Sequence, residues 1–177
     1  MNSKIFVKNW QSPLGDLIIG TYDDQLCLCD WSYRMQRKQI DHRLQTHFNA
    51  AYENKEHPVI EQAIVQLQQY FQRERTKFDL PLLMVGTTFQ QKVWEQLMHI
   101  PYGKTISYQE LAQNLHDEKV IRAAASANGA NAISIIIPCH RVVGKNGALV
   151  GYAGGTLAKQ KLLAIESPVK QLSLFEN

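Results

Sequence analysis

Cys139 and His140 stand side by side after a run rich in β-branched residues, Ile133-Ser134-Ile135-Ile136-Ile137, that Pro138 ends. Sulfur attacks as the thiolate, and a free thiol with a pKa of about 8.5 is mostly protonated at neutral pH. A cysteine fixed in a turn beside a histidine is therefore a candidate activated nucleophile. The same pair also reads as a small buried thiol next to a surface histidine, because neighbours in a strand point to opposite faces. The run itself reads as a short buried strand, with Pro138-Cys139-His140-Arg141-Val142 at its end.

The other two cysteines, Cys27 and Cys29, lie two apart in a strand-like segment. They are expected on one face, as core thiols. No Cys-x-x-Cys or His-x-x-x-His spacing completes a metal site around them. Three cysteines make an odd, low count, which argues against a disulfide framework and fits a reducing compartment. No apolar run approaches the roughly 20 residues that span a bilayer. The start, Met1-Asn2-Ser3-Lys4, leads into alternating residues rather than a signal-peptide core, so a cytoplasmic location is expected.

Net charge is +3 over 177 residues. Residues 1–86 carry 10 Lys+Arg and 10 Asp+Glu, whereas residues 87–177 carry 9 and 6, so the whole excess lies in the half that holds Cys139. A mild basic bias permits phosphate contacts.

Elements must hold these residues, and the length allows one larger or two small domains. Ile5-Phe6-Val7, Leu17 to Tyr22 and Leu26 to Trp31 alternate as an antiparallel meander, turning at Ser12-Pro13-Leu14-Gly15 and Asp23-Asp24-Gln25. Helices are expected over 34–48 and 58–73, the second with Ile60, Ile64, Leu67 and Phe71 on one face and Pro58 in its first turn. Leu80 to Gly86 reads as a connector, which gives domains 1–86 and 87–177. Thr87 or Thr88 can cap a helix that buries Phe89, Val93, Trp94 and Leu97. The residues after Glu166 read as a loose tail.

Ser107-Tyr108-Gln109-Glu110 is a capping box opening a helix to about Leu115. After His116, Asp117 can cap a second helix to Asn128, ended by Gly129. Two short helices in tandem read as a helix-turn-helix, whose second helix usually meets DNA. That helix, Arg122-Ala123-Ala124-Ala125-Ser126-Ala127-Asn128, has almost no bulk after its arginine. It can approach a minor groove closely, or pack tightly on a neighbouring helix.

With Pro138-Cys139-His140-Arg141-Val142, the sequence resembles the O6-alkylguanine-DNA alkyltransferases, the methylated-DNA–protein-cysteine methyltransferases, and looks most like the bacterial constitutive form. The likeness runs from about Thr88 to Glu166, more weakly over the N-terminal part. Phe89, Val93-Trp94, Ile100-Pro101-Tyr102-Gly103, Tyr108, Arg122, Asn128 to Asn131, Gly151 to Gly155 and Glu166 carry it.

The resemblance implies an α+β protein, with an N-terminal α/β domain on a small antiparallel sheet and a mostly helical C-terminal domain with the helix-turn-helix. It implies single-turnover repair: Cys139 takes the alkyl group from O6-methylguanine, and from O4-methylthymine, in double-stranded DNA. His140 is implied as a base acting through water, Glu166 as its orienter and Asn131 as a brace. Tyr108 is implied as donor to the guanine ring and as a phosphate contact. Arg122 is implied to fill the space of a flipped nucleotide, with Ala123, Ser126 and Ala127 on the DNA-facing helix. Backbone groups around Val142, Tyr152 and Ala153 are implied to line the base pocket. No metal or other cofactor, no membrane partner and a monomer follow from the likeness.

The chain departs from the usual pattern at Ala124-Ala125, where many relatives have Val-Gly, and at Ala132, where proline is common. A DNA-binding module without transfer and a Cys139-His140 hydrolase are the competing functions. A Cys139→Ser variant and catalytic ester hydrolysis discriminate them. A regulatory role is a further reading, although it usually requires an added sensor domain.

Overall fold

The computed structural model describes residues 3–168. The meander forms as β1 (Lys4–Ser12), β2 (Gly15–Tyr22) and β3 (Gln25–Trp31), antiparallel in sequence. Asp23 and Asp24 both take positive φ, +49° and +59°, which the two-residue reversal between right-twisted strands demands. The register slips at Gly20/Thr21, where Thr21 faces Leu26 but Gly20 faces Leu28. Cys27 is thus an extra, bulged residue and strand alternation breaks there. Cys27 packs with Ile5, Leu28, Ile40 and Leu44, whereas Cys29 packs with Leu26 and Trp31 in the other apolar cluster. The expectation of both thiols on one face is corrected by this bulge.

Helix α1 (Arg37–Phe48) starts three residues later than its sequence pattern suggested. The chain then forms β4 (Ala51–Asn54), absent from the sequence reading, which pairs in parallel with β1. The sheet, in order β3-β2-β1-β4, is therefore mixed rather than purely antiparallel. Helix α2 (Pro58–Phe71) has His57 as its cap, accepting from the Val59 N–H, and Pro58 in its first turn. Its buried face is Ile60, Ile64, Leu67 and Tyr70, with Phe71 only half-buried.

Residues 80–86 link this sheet to a second set of elements while bonding its edge: Leu26 N–H donates to the Pro81 carbonyl and Leu83 N–H to that of Leu26. Thr87 and Gln90 form a capping box for α3 (Thr88–Met98). Next come β5 (Ile106–Ser107), α4 (Tyr108–Asn114), α5 (Ile121–Gly129), β6 (Val142–Val143) and α6 (Thr156–Glu166). Asp117 caps a single 3-10 turn, Glu118–Val120, ahead of α5 rather than α5 itself. Gly129 is the last helical residue, and Ala130, with φ −86°, closes the helix without a left-handed glycine.

Residues 133–137 do not form a strand. Only Ile133 bridges to Cys29, through Cys29 N–H to the Ala132 carbonyl and Ser134 N–H to the Cys29 carbonyl. Ile135 then takes φ +72°, which ends any extended ladder.

One apolar cluster joins both sets of elements, from Leu17, Ile19 and Trp31 through Leu67 and Trp94 to Ile137 and Leu162. Among the described residues no helix is long and apolar enough to cross a membrane, and no His/Cys/Asp/Glu group could hold a metal ion. The expected loose tail falls, from residue 169 on, outside the described residues.

Candidate active site

The edge strand β3 anchors the segment that carries the nucleophile. From the bridge at Cys29 and Ile133 the chain turns tightly, with Ile136 N–H bonded to the Ser134 carbonyl and Cys139 N–H to that of Ile137. Positive φ in a β-branched residue costs on the order of 1–3 kcal/mol and survives only where the surroundings over-determine it. Here Ile135 is buried, and the Asn131 amide spans the turn. Its Nδ2 donates to the Ile133 and Ile137 carbonyls at 3.3 and 2.9 Å, and its Oδ1 accepts from the Ile133 N–H at 2.9 Å. Three bonds from one side chain fix the loop that ends at Cys139.

Cys139 opens a 3-10 turn, Cys139–Arg141, that runs directly into β6. β6 pairs in parallel with β5, Ile106 facing Val142 and Ser107 facing Val143. Ser107 also caps α4 through its capping box with Glu110. Tyr108, the first residue of α4, is thereby placed against Cys139 by two paired residues and one cap. Both line a cavity of about 340 Å³, with Arg34, Met35, Gln36, Ala125, Asn128, Gly129, Asn131, Gly151, Tyr152 and Ala153.

Behind the cavity lies a charged cluster. His140 is fully buried, and its Nε2 is 2.8 Å from Glu166 Oε1. Arg141 grips the same carboxylate with Nε at 2.8 Å and a second guanidinium nitrogen at 2.9 Å, and also donates to the Ile100 carbonyl. The Tyr70 hydroxyl donates to Glu166 from α2 at 2.8 Å, and the Gly103 N–H at 3.4 Å. Gly103 needs its φ of +77°, and a Cβ there would meet the Glu166 carbonyl at 2.9 Å.

Burial alone would raise Glu166, but His140 and Arg141 more than reverse it and hold the carboxyl at about 2. Burial lowers His140 despite Glu166, so the ring is neutral at pH 7. A neutral ring bonded to a carboxylate through Nε2 carries its proton there and leaves Nδ1 as a lone-pair acceptor. No protein group donates to that Nδ1 among the described residues.

Burial raises the Cys139 thiol, against which the Asn131 side chain, Lys159 and Arg34 act in the opposite direction. Lys159, on α6, is fully buried with no carboxylate partner among the described residues. Its ammonium donates to the Val142 carbonyl at 2.6 Å and to those of Gly151 and Val150 at 3.3 and 3.5 Å. Burial lowers its pKa, and Cys139 works against that. Sequence patterning gave no sign of Lys159, because a lysine on an amphipathic helix ordinarily faces solvent.

The residues read from sequence are distributed unevenly. Cys139, Tyr108, Asn131, Tyr152 and Ala153 share the cavity wall, while His140 and Glu166 sit behind Cys139. Val142 is fully buried, does not line the cavity, and has its carbonyl occupied by Lys159. Arg122, Ala123 and Ser126 form an exposed face of α5. Ala127 does not belong to that face: it is 3 % exposed, and its carbonyl accepts from the Trp94 indole at 2.8 Å. Helical spacing turns it inward, as it does Ala124. Arg141, Tyr70 and Arg34 are further site residues missed in the sequence, since their partners are far along the chain.

A buried thiol next to a neutral imidazole, a phenol and a buried ammonium can be deprotonated and can attack a carbon placed in the cavity. Known protein families match both halves of the chain. Residues 88–168 match the DNA-binding domain of 6-O-methylguanine DNA methyltransferase, and residues 5–84 its ribonuclease-like domain. A methylated-DNA–protein-cysteine methyltransferase, constitutive, of Bacillus subtilis is 45 % identical over 157 residues, covering 88 % of this chain and 92 % of that protein. One from Mycobacterium leprae is 37 % identical over 177 residues, covering 97 % and 99 %. The crystal structure of Mycobacterium tuberculosis OGT in complex with DNA superposes with a TM-score of 0.78 at 36 % identity, over 91 % of this chain and 92 % of that one.

Proposed function

The chain belongs to the 6-O-methylguanine DNA methyltransferase family, and from that premise we propose how its residues carry out the family's reaction. The protein repairs DNA by moving the alkyl group of O6-methylguanine onto its own cysteine. The acceptor is Cys139, and its position at the base of the cavity, between Tyr108 and the His140–Glu166 pair, carries the assignment.

The resting thiol is neutral because it is buried. Its proton passes through a water to Nδ1 of His140, and the imidazolium so formed is stabilised by Glu166 at Nε2. The Lys159 ammonium favours the thiolate so formed. Sulfur attacks the alkyl carbon as the bond from carbon to O6 breaks, with the electron pair leaving on the base. Tyr108, whose phenol burial keeps protonated, donates to the ring as that charge develops, so it favours the transition state over the ground state. The product is a thioether without a carbonyl for water to attack, so each molecule reacts once.

A carbon on a base edge inside a stacked duplex is out of reach of an in-line thiolate, so the base is flipped into the cavity, at a cost of a few kcal/mol. Arg122, exposed on α5 with Ala123 and Ser126, enters from the minor groove and fills the gap. Ala125, which lines the cavity mouth, adds a methyl where relatives commonly have none. The same chemistry extends to O4-methylthymine. We further place the protein in the cytoplasm, acting as a monomer in two domains, 1–86 and 87–177.

A duplex labelled at the methyl of O6-methylguanine tests this. At most one label per protein should appear, on Cys139, with an intact-mass gain of about 14 Da. Repeated turnover, or label on Cys27 or Cys29, refutes it.

A further inference from the structure

Asp30 is a carboxylate buried in an otherwise apolar strand, and the reaction described so far gives it no part. It stands in β3 between Cys29 and Trp31, and its side chain is fully buried. Taking a carboxylate out of water is costly, and a well-packed apolar residue would hold the sheet as firmly. Four hydrogen bonds offset that cost. Arg34 donates to both oxygens at 3.2 Å, Arg37 to Oδ2 at 2.6 Å, and the Ser134 hydroxyl to Oδ1 at 3.2 Å. Burial raises the Asp30 carboxyl, and the two arginines act in the opposite direction.

Two of these partners reach the segment that leads to Cys139. Ser134 is fully buried, and each of its polar groups is engaged. Its N–H donates to the Cys29 carbonyl at 2.7 Å, its carbonyl accepts from the Ile136 N–H at 2.8 Å, and its hydroxyl lies on Asp30. Arg34, while bonded to Asp30, donates to the Asn131 carbonyl at 3.2 Å. One carboxylate therefore grips residues 131 and 134 together, the first through a guanidinium and the second directly. Ile135 follows with its φ of +72°, and beyond it the Asn131 amide holds the Ile137 carbonyl. A β-branched residue keeps that conformation only while both of its neighbours are fixed. Relaxation at Ile135 would swing the turn that carries Cys139.

We propose that Asp30 is a positioning residue for alkyl transfer: through the Ser134 hydroxyl it holds the left-handed turn at Ile135 that presents the Cys139 sulfur to the alkyl carbon. The proposal rests on the alkyl-transfer reading above and adds to it a residue from the first half of the chain. Asp30 does not line the cavity, so it acts through the turn. In-line displacement depends on where the sulfur sits, and a misplacement of about 1 Å caused away from the chemistry can cost on the order of 100-fold. The Ser134 bond is separate from the Arg34 bond to the end of α5, so its loss bears on the transfer step rather than on duplex binding.

Ser134→Ala removes the hydroxyl and leaves every charge in place. Single-turnover methyl transfer from an O6-methylguanine duplex is followed over a range of duplex concentrations, well below each variant's melting temperature. The maximal rate should fall about tenfold, the scale of one lost hydrogen bond to a charged group. Half-saturation should stay within about twofold and the pH profile should not move. Ser134→Thr and Ser134→Val control for packing, since they share one shape and differ by the hydroxyl. Threonine should transfer about tenfold faster than valine. With Asp30→Asn, a neutral acceptor, that gap should shrink to about threefold or less. Should Asp30→Asn not fold, the Ser134 variants decide alone. A wild-type maximal rate in Ser134→Ala, equal rates for threonine and valine, a loss confined to half-saturation, or a gap unchanged by Asp30→Asn overturns the proposal while leaving the alkyl-transfer function standing. A wild type that takes no methyl from the duplex overturns that function, and this inference with it.

Discussion

The guanidinium of Arg34 donates to the backbone carbonyl of Asn131 at 3.2 Å, so a residue ahead of α1 holds the brace of the reactive loop from the other half of the chain. The same guanidinium bonds both carboxylate oxygens of Asp30 at 3.2 Å and reaches the Gly129 carbonyl at the end of α5. Arg43 takes the intervening Ala130 carbonyl at 2.9 Å. Cations at a helix C-terminus oppose its partial negative charge. Arg34 and Arg43 thereby fix the end of α5 and the Asn131 turn together.

Arg34→Ala should therefore act at two levels. It leaves the buried Asn131 carbonyl and the part-buried Gly129 carbonyl without their guanidinium donor, and Asp30 with Arg37 as its remaining guanidinium partner, a loss of about 3 kcal/mol by analogy with broken buried pairs. Thermal unfolding reads that loss. Transfer should slow even well below the melting temperature, because Asn131 is no longer held. A variant that melts early but transfers at the wild-type rate when folded would remove the coupling.

Lys159→Met tests the electrostatic partner of the thiolate. Methionine fills a similar length without charge, so the variant should fold at least as well as the wild type. The ammonium opposes the burial that raises the Cys139 thiol, so its removal raises that thiol further. The rate at pH 7 should fall about tenfold for each unit by which the thiol's pKa rises. The pH profile of single-turnover transfer should move toward higher pH. An unmoved profile would assign Lys159 to packing alone.

Glu166 supplies the pH dependence of stability. Its folded pKa is about 2, well below an ordinary carboxyl near 4.5. The ionised form is thus favoured in the native state, and its contribution is complete above about pH 4.5. That contribution is lost as pH falls from about 4.5 through 2. Denaturant titrations across that window should show the decline, and Glu166→Gln should flatten it. The variant should also be destabilised at pH 7 by about 3–5 kcal/mol, because Arg141 loses a buried counter-charge.

Local signals in the sequence located much of the molecule. A threonine cap at Thr87 or Thr88 and the capping box at Ser107–Glu110 mark helix starts that the structure keeps. The charge bias and the small-residue helix lie where the DNA-binding domain match falls. What was illegible depends on distant partners. The bulge at Cys27 is set by pairing with β2, and the loss of a strand at 133–137 follows from tertiary anchoring at Cys29 and Asn131. Among the described residues Lys159 finds its partners in the carbonyls of Val142, Val150 and Gly151, and Tyr70 finds Glu166 from 96 residues away. Neither spacing nor periodicity carries such contacts.

Gly154 illustrates a packing constraint near the cavity. A Cβ at this position would lie 2.6 Å from the Trp31 ring, which also donates to the Tyr152 hydroxyl at 3.3 Å. Trp31 is fully buried and has no room to yield. Gly154→Ala should cost about 1–3 kcal/mol and disturb the Tyr152 wall. A melting temperature equal to wild type would show that the loop absorbs the methyl.

In the proposed reaction Arg122 serves recognition and not chemistry. It is exposed on α5, outside the cavity wall that holds Cys139 and Tyr108. Inserted into a duplex, it compensates for the vacated stack, a few kcal/mol of unstacking that a free base never incurs. Arg122→Ala should thus slow transfer from duplex O6-methylguanine by at least about tenfold, while free O6-methylguanine reacts at nearly the wild-type rate. Tyr108→Phe should slow both substrates, because in the proposed reaction its hydroxyl acts on the ring itself. Equal losses on the two substrates in Arg122→Ala would place the arginine in the chemical step and remove it from holding the flipped state.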